Sequence, residues 1–331
     1  MIARYRPERP APEHHVRWKS RFGPCFTLFV DVEEEFDWRR PLGTAPYSTR
    51  AMAAFPAAHR RFADRGVALA CVVDLPIVSD PRSVDILHAV VADGRSEIGA
   101  QLHGWVNPPI VEQISAVTSY AANLPAGVEA AKIAVLTDAI TAAFGMRPRV
   151  YRAGRYGIGP DSFAILAAMG YRIDSSVRSG YDYSGQGGPD FSGIGSEPYH
   201  AGSLIELPLT TVHTGRLRGG GSALYRALSR VPRARGVFSR LGLMSRVAMT
   251  PEDMPIAAAI EAVTIAIGEG AAFLNFSFHS PSLAPGHTPY VRDHADLQRF
   301  HDWWTAMLDH LDRLGVRNAS IAEILDNIRE G

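Results

Sequence analysis

The sequence predicts a parallel α/β architecture, closed or nearly closed into a barrel. Three observations carry that prediction. Short apolar, β-prone runs alternate with helix-like segments along the chain. The helix-like segments have their own start and stop signals. Polar side chains able to do chemistry recur where the apolar runs stop. The 331 residues suffice for one large domain with a sizeable core.

Residues 1–23 include MIARYRPERPAPEHHVRWKS, which has no apolar core segment. They predict a polar N-terminal arm rather than a signal peptide. A single domain is expected over 24–331. Its strands are CFTLFVDV, VALACVVD, SEIGAQLH, PRVYRAG, YRIDSSV, SLIELPLT and AAFLNFSFHS. Between them, AMAAFPAAHRRFADRG stops on Gly, and PRSVDILHAVVADG opens with Pro and closes with Gly. GVEAAKIAVLTDAITAAFG is long and amphipathic. GPDSFAILAAMG has Pro and Asp in its first turn and Gly at its end. No internal repeat or low-complexity linker interrupts the series.

Residues 216–246 break the rhythm with eight Arg and no acid, interleaved with Leu, Val, Phe and Met. Leu224, Leu228 and Val231 fall on a helical period beside Arg226 and Arg230, and Pro232 interrupts it. The segment reads as an inserted pair of helices. It presents either a solvated basic face or a patch for an anionic substrate or membrane surface.

Hydrophobic residues make up 46% and charged residues 21%, as in ordinary globular proteins. Basic and acidic residues balance at 34 each, so charge points to no nucleic-acid partner. Cys25 and Cys71 border apolar runs and read as buried, reduced thiols. No apolar run approaches the ~18 residues of a membrane span. A cytoplasmic location is expected.

The stretch FTLFVDVEEEFDW carries five carboxylates in seven positions: Asp31, Glu33, Glu34, Glu35 and Asp37. Strand alternation puts Asp31 and Glu33 on one face. Glu34, Glu35 and Asp37 are expected mostly in a solvated acidic loop. Chemistry in parallel barrels sits at the C-terminal strand ends. His103 closes SEIGAQLH, Arg152 follows Val150 and Tyr151, Asp174 lies within YRIDSSV, and His279 closes AAFLNFSFH. One strand-end histidine is usually a structural hydrogen bonder. This succession is harder to explain so.

The order and spacing of VDVEEEFDW, EIGAQLHGWVNPP, YRAGRYGI, GYRIDSSV, GYDYSGQGGPDFS, LIELPLT and FSFHSPSL cover roughly residues 24 to 325. They resemble the polysaccharide deacetylases, carbohydrate esterase family 4 with the NodB homology domain, and within it the WalW-like branch. The resemblance implies a distorted (β/α) barrel with an open groove. It implies metal-assisted removal of an N-acetyl group from an amino sugar. Asp31 matches the general base, Glu33 a metal ligand, and His103 a second ligand. Asn107 stands where the family carries another His, and an amide oxygen is a weaker donor for zinc than imidazole. The implied cofactor is a divalent metal, with zinc the expected ion. Arg152 matches the arginine that holds the base ionised. His279 matches the general acid, with Asp174 as the carboxylate that orients it. Backbone N–H groups near Arg155 and Tyr156 match an oxyanion site. Trp38, Trp105, Tyr156 and Tyr181 are candidates to contact sugar faces, the alternative for the tryptophans and Tyr181 being the core.

The implied partner is an amino-sugar glycan or a lipid-linked or nucleotide-linked sugar, with peripheral membrane contact through residues 216–246. Two alternatives stay open: a formamide or cyclic-amide hydrolase of the same fold with weak metal dependence, and a non-catalytic carbohydrate-binding relative. Asp31, Arg152 and His279 together weigh against the second, because binding alone needs no acid–base pair.

Overall fold

The computed structural model describes residues 5–36, 42–44 and 47–329. In chain order its first strands and helices are β1 (Cys25–Val32), α1 (Phe55–Ala63), β2 (Leu69–Val73), α2 (Leu75–Val78), α3 (Pro81–Val91) and β3 (Glu97–Leu102). Then come α4 (Ala126–Phe144), β4 (Val150–Ala153), α5 (Ser162–Ala168), β5 (Ile173–Asp174), β6 (Tyr199–Ala201) and β7 (Leu204–Glu206). An inserted hairpin follows, β8 (Thr211–Thr214) and β9 (Ser245–Ala248), carrying α6 (Gly221–Ser229) and α7 (Ala234–Arg240). The chain finishes with α8 (Ile256–Gly268), β10 (Phe273–His279), α9 (His294–Arg313), β11 (Arg317–Asn318) and α10 (Ile321–Asp326).

The main sheet runs β10-β1-β2-β3-β4-β5-β7-β6, with β11 beside the start of β1. Its ladders are parallel except for β6–β7. The sheet curls into a half-barrel and does not close by a ladder. β5 and β7 are two and three residues long, and Pro208 just after β7 has no N–H to extend pairing. The gap to β10 is spanned by single bonds. Asn275 N–H donates to Thr210 Oγ1 (2.8 Å), the Asn275 amide to Leu207 O (2.8 Å), and Ser277 N–H to Met249 O (3.0 Å).

Every residue of β1 is buried because both sheet faces are covered. Phe26, Leu28, Val30 and Val32 pack in the larger cluster that the flanking helices help form. Cys25 and Phe29 face a smaller cluster with Val72, Val150, Ile173 and Leu207. That inner cluster is closed from below by Val16 and Phe22 of the N-terminal arm and by Ile321 and Ile324 of α10. The arm is therefore packed rather than loose: Trp18 stacks on Phe22 (4.5 Å) and Phe273 (5.8 Å). With apolar residues filling the bottom, Asp31 is the next inward position above Phe29, where polar groups from neighbouring strands gather. Cys25 and Cys71 are buried free thiols.

The Arg-rich insertion does form two short helices, and of their residues only Leu228 is buried. Among the described residues no helix is long and apolar enough to cross a membrane.

Candidate active site

The parallel register places Asp31 opposite His279, at the C-terminal ends of β1 and β10. His279 Nε2 lies 3.7 Å from Asp31 Oδ2. On the other carboxylate oxygen, Arg152 Nη1 donates to Asp31 Oδ1 at 2.5 Å. Arg152 is fully buried and well satisfied. Nη1 also meets Ser277 Oγ (2.7 Å), Nε meets Ser175 O (2.9 Å), and Nη2 meets Ser175 Oγ (2.9 Å). Its guanidinium rests on the Phe29 ring at 4.5 Å. Bonds from three neighbouring elements fix its direction, so the Asp31 carboxylate is presented in one orientation.

His279 is held by Glu252, not by Asp174. The Glu252 carboxylate takes His279 Nδ1–H at 2.6 Å, the His279 backbone N–H at 3.1 Å and the Ser282 hydroxyl at 2.6 Å. Burial pushes the imidazolium down, but the charges of Glu252, Glu33 and Asp31 and the Glu252 hydrogen bond outweigh it, raising His279 to about 10. Asp174 sits elsewhere. It is the register partner of Glu206 on β7 and accepts the Ser176 hydroxyl at 2.6 Å. Burial raises both carboxyls, and Glu206 is raised further by Asp174. Glu252 stands in MTPEDMP after β9, a strand too short and too mixed in composition to be read from sequence.

The metal-type side chains occupy two faces of one imidazole. His103 directly follows β3, and its ring stacks on Trp105 (4.3 Å). Nδ1 meets Glu34 Oε2 at 2.7 Å, and Trp105 Nε1–H donates to Glu34 Oε1 at 3.0 Å. Asp74, at the end of β2, accepts the Glu34 N–H (2.7 Å) and the Ile77 N–H (2.9 Å) that it caps. Glu34, Asp74 and His103 each offer one ligand atom within 4.8 Å of the others. Burial raises Glu34, and raises Asp74 well above its ordinary range with the Glu34 charge adding to it. Both carboxyls are filled by donors of the protein itself, so this face is a closed network that orients His103.

The Nε2 face is open to chemistry. Glu33 Oε2 lies 3.5 Å away. Burial raises the Glu33 carboxyl to about 8, against the opposing fields of His279 and His103. Asn107 follows on the same turn, its N–H donating to His103 O (3.1 Å). Its amide hydrogens go to Pro108 O (3.0 Å) and Lys132 O (2.8 Å), while its buried Oδ1 has no hydrogen-bond partner. A carboxylate and an imidazole facing each other, with an unspent amide oxygen on the same turn, fit a divalent cation. The buried Lys132 of α4 holds this turn from behind, bonding Gly104 O (2.9 Å) and Asn107 O (2.8 Å). Gly154 is required beside it: a Cβ there would meet His103 Cδ2 at 2.5 Å and Leu102 O at 2.6 Å.

Several sequence expectations change here. Glu34 is fully buried and Glu35 caps Ala51 N–H and meets His287 (2.9 Å), so neither belongs to a solvated loop. Trp105 is 1% exposed and supports Glu34 and His103, so it has no face for a sugar. Trp38 lies outside the described residues. Tyr156 and Tyr181 are partly exposed and stack either side of Tyr183 in sequence of contact, at 5.9 Å and 6.1 Å. Arg155 and Tyr156 both take left-handed backbone, with φ of 55° and 59°. Such strain concentrates at functional turns. Asp74 was legible by the strand-end rule applied to VALACVVD.

A cleft of about 900 Å³ lies at the opposite end of β10, lined by Trp18, His213, Arg216 and Phe273 among others. It has a carboxylate–imidazole pair of its own, His15 Nδ1 at 3.4 Å from Glu197 Oε2, but the Glu197 side chain is largely exposed, unlike the buried Asp31.

No family model matches the chain, and no curated protein matches it. Solved structures do. One described as a polysaccharide deacetylase from Mycobacterium smegmatis aligns with a TM-score of 0.54 at 18% identity, over 96% of this chain and 93% of that one. The fold is the half-barrel of the NodB-like deacetylases. The 4-alpha-glucanotransferase from Thermococcus litoralis also scores 0.54, at 12% identity, over 93% of this chain and 41% of that one. A GH57-type branching enzyme from Pyrococcus horikoshii scores 0.50 at 10% identity, over 94% and 71%. Identities this low establish a shared fold, and the chemistry has to be argued from the side chains.

Proposed function

We propose that the chain is a hydrolase that removes an N-acyl group, acetyl in the first instance, from an amino sugar of a glycan or glycan intermediate. The observation that carries this reading is Asp31 between Arg152 and His279, with Glu252 behind His279. In it Asp31 is the general base, oriented by Arg152, and takes a proton from the attacking water. His279 gives a proton to the departing nitrogen, without which an amide does not cleave. Glu252 fixes the imidazole and favours its protonated form. The backbone at Arg155 and Tyr156 is assigned to the oxyanion. Glu33 and His103, with Asn107 as a neutral third donor, would hold a divalent metal such as zinc, which when bound polarises the acyl group and its water.

The experiment is acetate release from N-acetylated amino sugars with and without added divalent metal. Absence of release with every sugar tested would overturn the deacetylase reading. A second reading is a formamide or cyclic-amide hydrolase of the same fold. Asn107 favours it, because the weaker third donor suits a reaction that leans less on the metal. The WalW-like assignment, a cytoplasmic location and a lipid-linked or nucleotide-linked substrate belong to the first reading. The motif order supports the first of these and the exposed arginines of 216–246 the last.

A further inference from the structure

One cation near the acid–base pair is built unlike the others. Arg178 follows β5, and its guanidinium lies 4.0 Å from the centre of the Tyr181 ring and 5.5 Å from that of Tyr156. Its Nη1 reaches the Tyr183 hydroxyl at 3.4 Å. Its Nε is buried with no hydrogen-bond partner. No carboxylate among the described residues lies within ion-pair distance of it. Arg152 shows what a structural arginine looks like in this fold, with its guanidinium nitrogens spent on Asp31, Ser277 and Ser175. Arg178 has aromatic faces instead, which accommodate a cation without neutralising it. A second arginine, Arg246 of β9, lies 3.4 Å from the Tyr181 ring centre and is anchored to Gly180 O (2.5 Å). The Tyr181 ring therefore has two cations against it, neither of them paired with an acid among the described residues.

The position of Arg178 ties it to the chemistry. Its charge is felt at Tyr156, which also feels Asp31 and Arg152. It is felt at Tyr290, which also feels Glu252, Asp253 and Glu33, and at Asp253, which lies beyond ion-pair distance of it. Arg178 follows β5 and Tyr156 follows β4, at the same end of the parallel sheet as Asp31 and His279. A partly desolvated arginine fork with a free N–H is completed by a planar or tetrahedral oxyanion, which it can bind through two oxygens.

We infer that Arg178, set among Tyr156, Tyr181 and Tyr183, receives an oxyanion of the substrate, a carboxylate or a phosphate, while the acyl nitrogen sits at His279. The inference rests on the N-acyl hydrolase reading for what lies at the other end of the substrate. The anion subsite itself can be measured apart from turnover. Titration calorimetry would compare N-acetylglucosamine, N-acetylglucosamine 6-phosphate and N-acetylmuramic acid, the neutral, phosphate and carboxylate probes. With wild type, at least one anionic sugar should bind roughly tenfold or more tighter than the neutral one, a free-energy gap set by one charged contact. Arg178→Gln should remove that preference and leave the affinity for the neutral sugar unchanged. Arg178→Lys should keep part of it and restore its dependence on salt. Thermal melting checks that the variants fold; if Arg178→Gln does not, Arg178→Lys and the salt series decide. Equal affinity for all three sugars, or a preference that survives loss of the Arg178 fork, overturns the subsite. A preserved anion preference with no acetate released from any sugar would instead overturn the hydrolase reading and keep the subsite.

Discussion

Asp31 and His279 are register partners on adjacent parallel strands, and His279 Nε2 stands 3.7 Å from the Asp31 carboxylate. A base and an acid side by side must act on different atoms of one substrate, which is the requirement of amide hydrolysis. Asp31→Asn should keep the fold and lose roughly 10²–10⁴ in rate, the usual scale of one acid–base group. His279→Ala should lose as much on an amide and less on an activated ester, whose leaving group needs no proton. Equal losses on both substrates would remove His279 from the acid role.

Glu252 and Asp174 can be told apart by pH profile. His279 is raised to about 10, with Glu252 the largest charge raising it. The protonated acid is therefore lost only above that pH in wild type. Glu252→Gln removes the carboxylate, so the alkaline limb should move to lower pH. Asp174→Asn touches Glu206 and Ser176 rather than His279, and should leave that limb in place. A limb that moves with Asp174→Asn and not with Glu252→Gln reverses the assignment.

Metal content tests the two faces of His103. His103→Ala should abolish binding of one divalent ion, measured by elemental analysis. Asn107→His should tighten it by supplying an imidazole donor. Glu34→Gln, which leaves the Nε2 face intact, should weaken binding about 10-fold to 100-fold, the usual effect of an orienting partner. Complete loss in Glu34→Gln, with no change in Glu33→Gln, would place the ion on the Nδ1 side instead.

Glu129 on α4 makes stability depend on pH. It is buried, accepts the Ser162 hydroxyl, and burial raises it from 4.5 to about 7. Its folded value lies above its unfolded one, so the folded state holds the extra proton between them. The contribution to stability is fully present below about 4.5 and is lost as pH rises to about 7. The shift corresponds to about 3 kcal/mol. Urea titrations of Glu129→Gln should show less decline of stability across that window than wild type. Parallel declines would mean that Glu129 titrates normally.

The insertion makes a separate prediction. Arg226, Arg230 and Arg233 are exposed, beside Val231 (59% exposed), Val237 (48%) and Leu241 (63%). Exposed basic and apolar groups together suit an anionic lipid surface. Wild type should co-sediment with anionic vesicles more than with neutral ones, and less in high salt. Substituting Gln for Arg226, Arg230, Arg233 and Arg235 should abolish the difference. Binding that ignores both lipid charge and these substitutions would leave a merely solvated face.

Local sequence determined the alternation of strands and helices, the inward face shared by Asp31 and Glu33, and the strand-end positions of His103, Arg152 and His279. Each follows from a period of two or from a single chain break, so neighbours along the chain suffice. The tertiary structure decided which carboxylate serves which imidazole. Glu252 reaches His279 across 27 positions and Glu34 reaches His103 across 69, while Asp174 turns to Glu206. It also decided that the acidic run after β1 splits, Glu33 toward His103 Nε2 and Glu34 into a closed network, and that Arg178 has no counter-ion among the described residues. Hydrogen-bond pairing at such separations depends on the curl of the sheet and on what burial leaves unsatisfied. Neither is written in any short stretch of the chain.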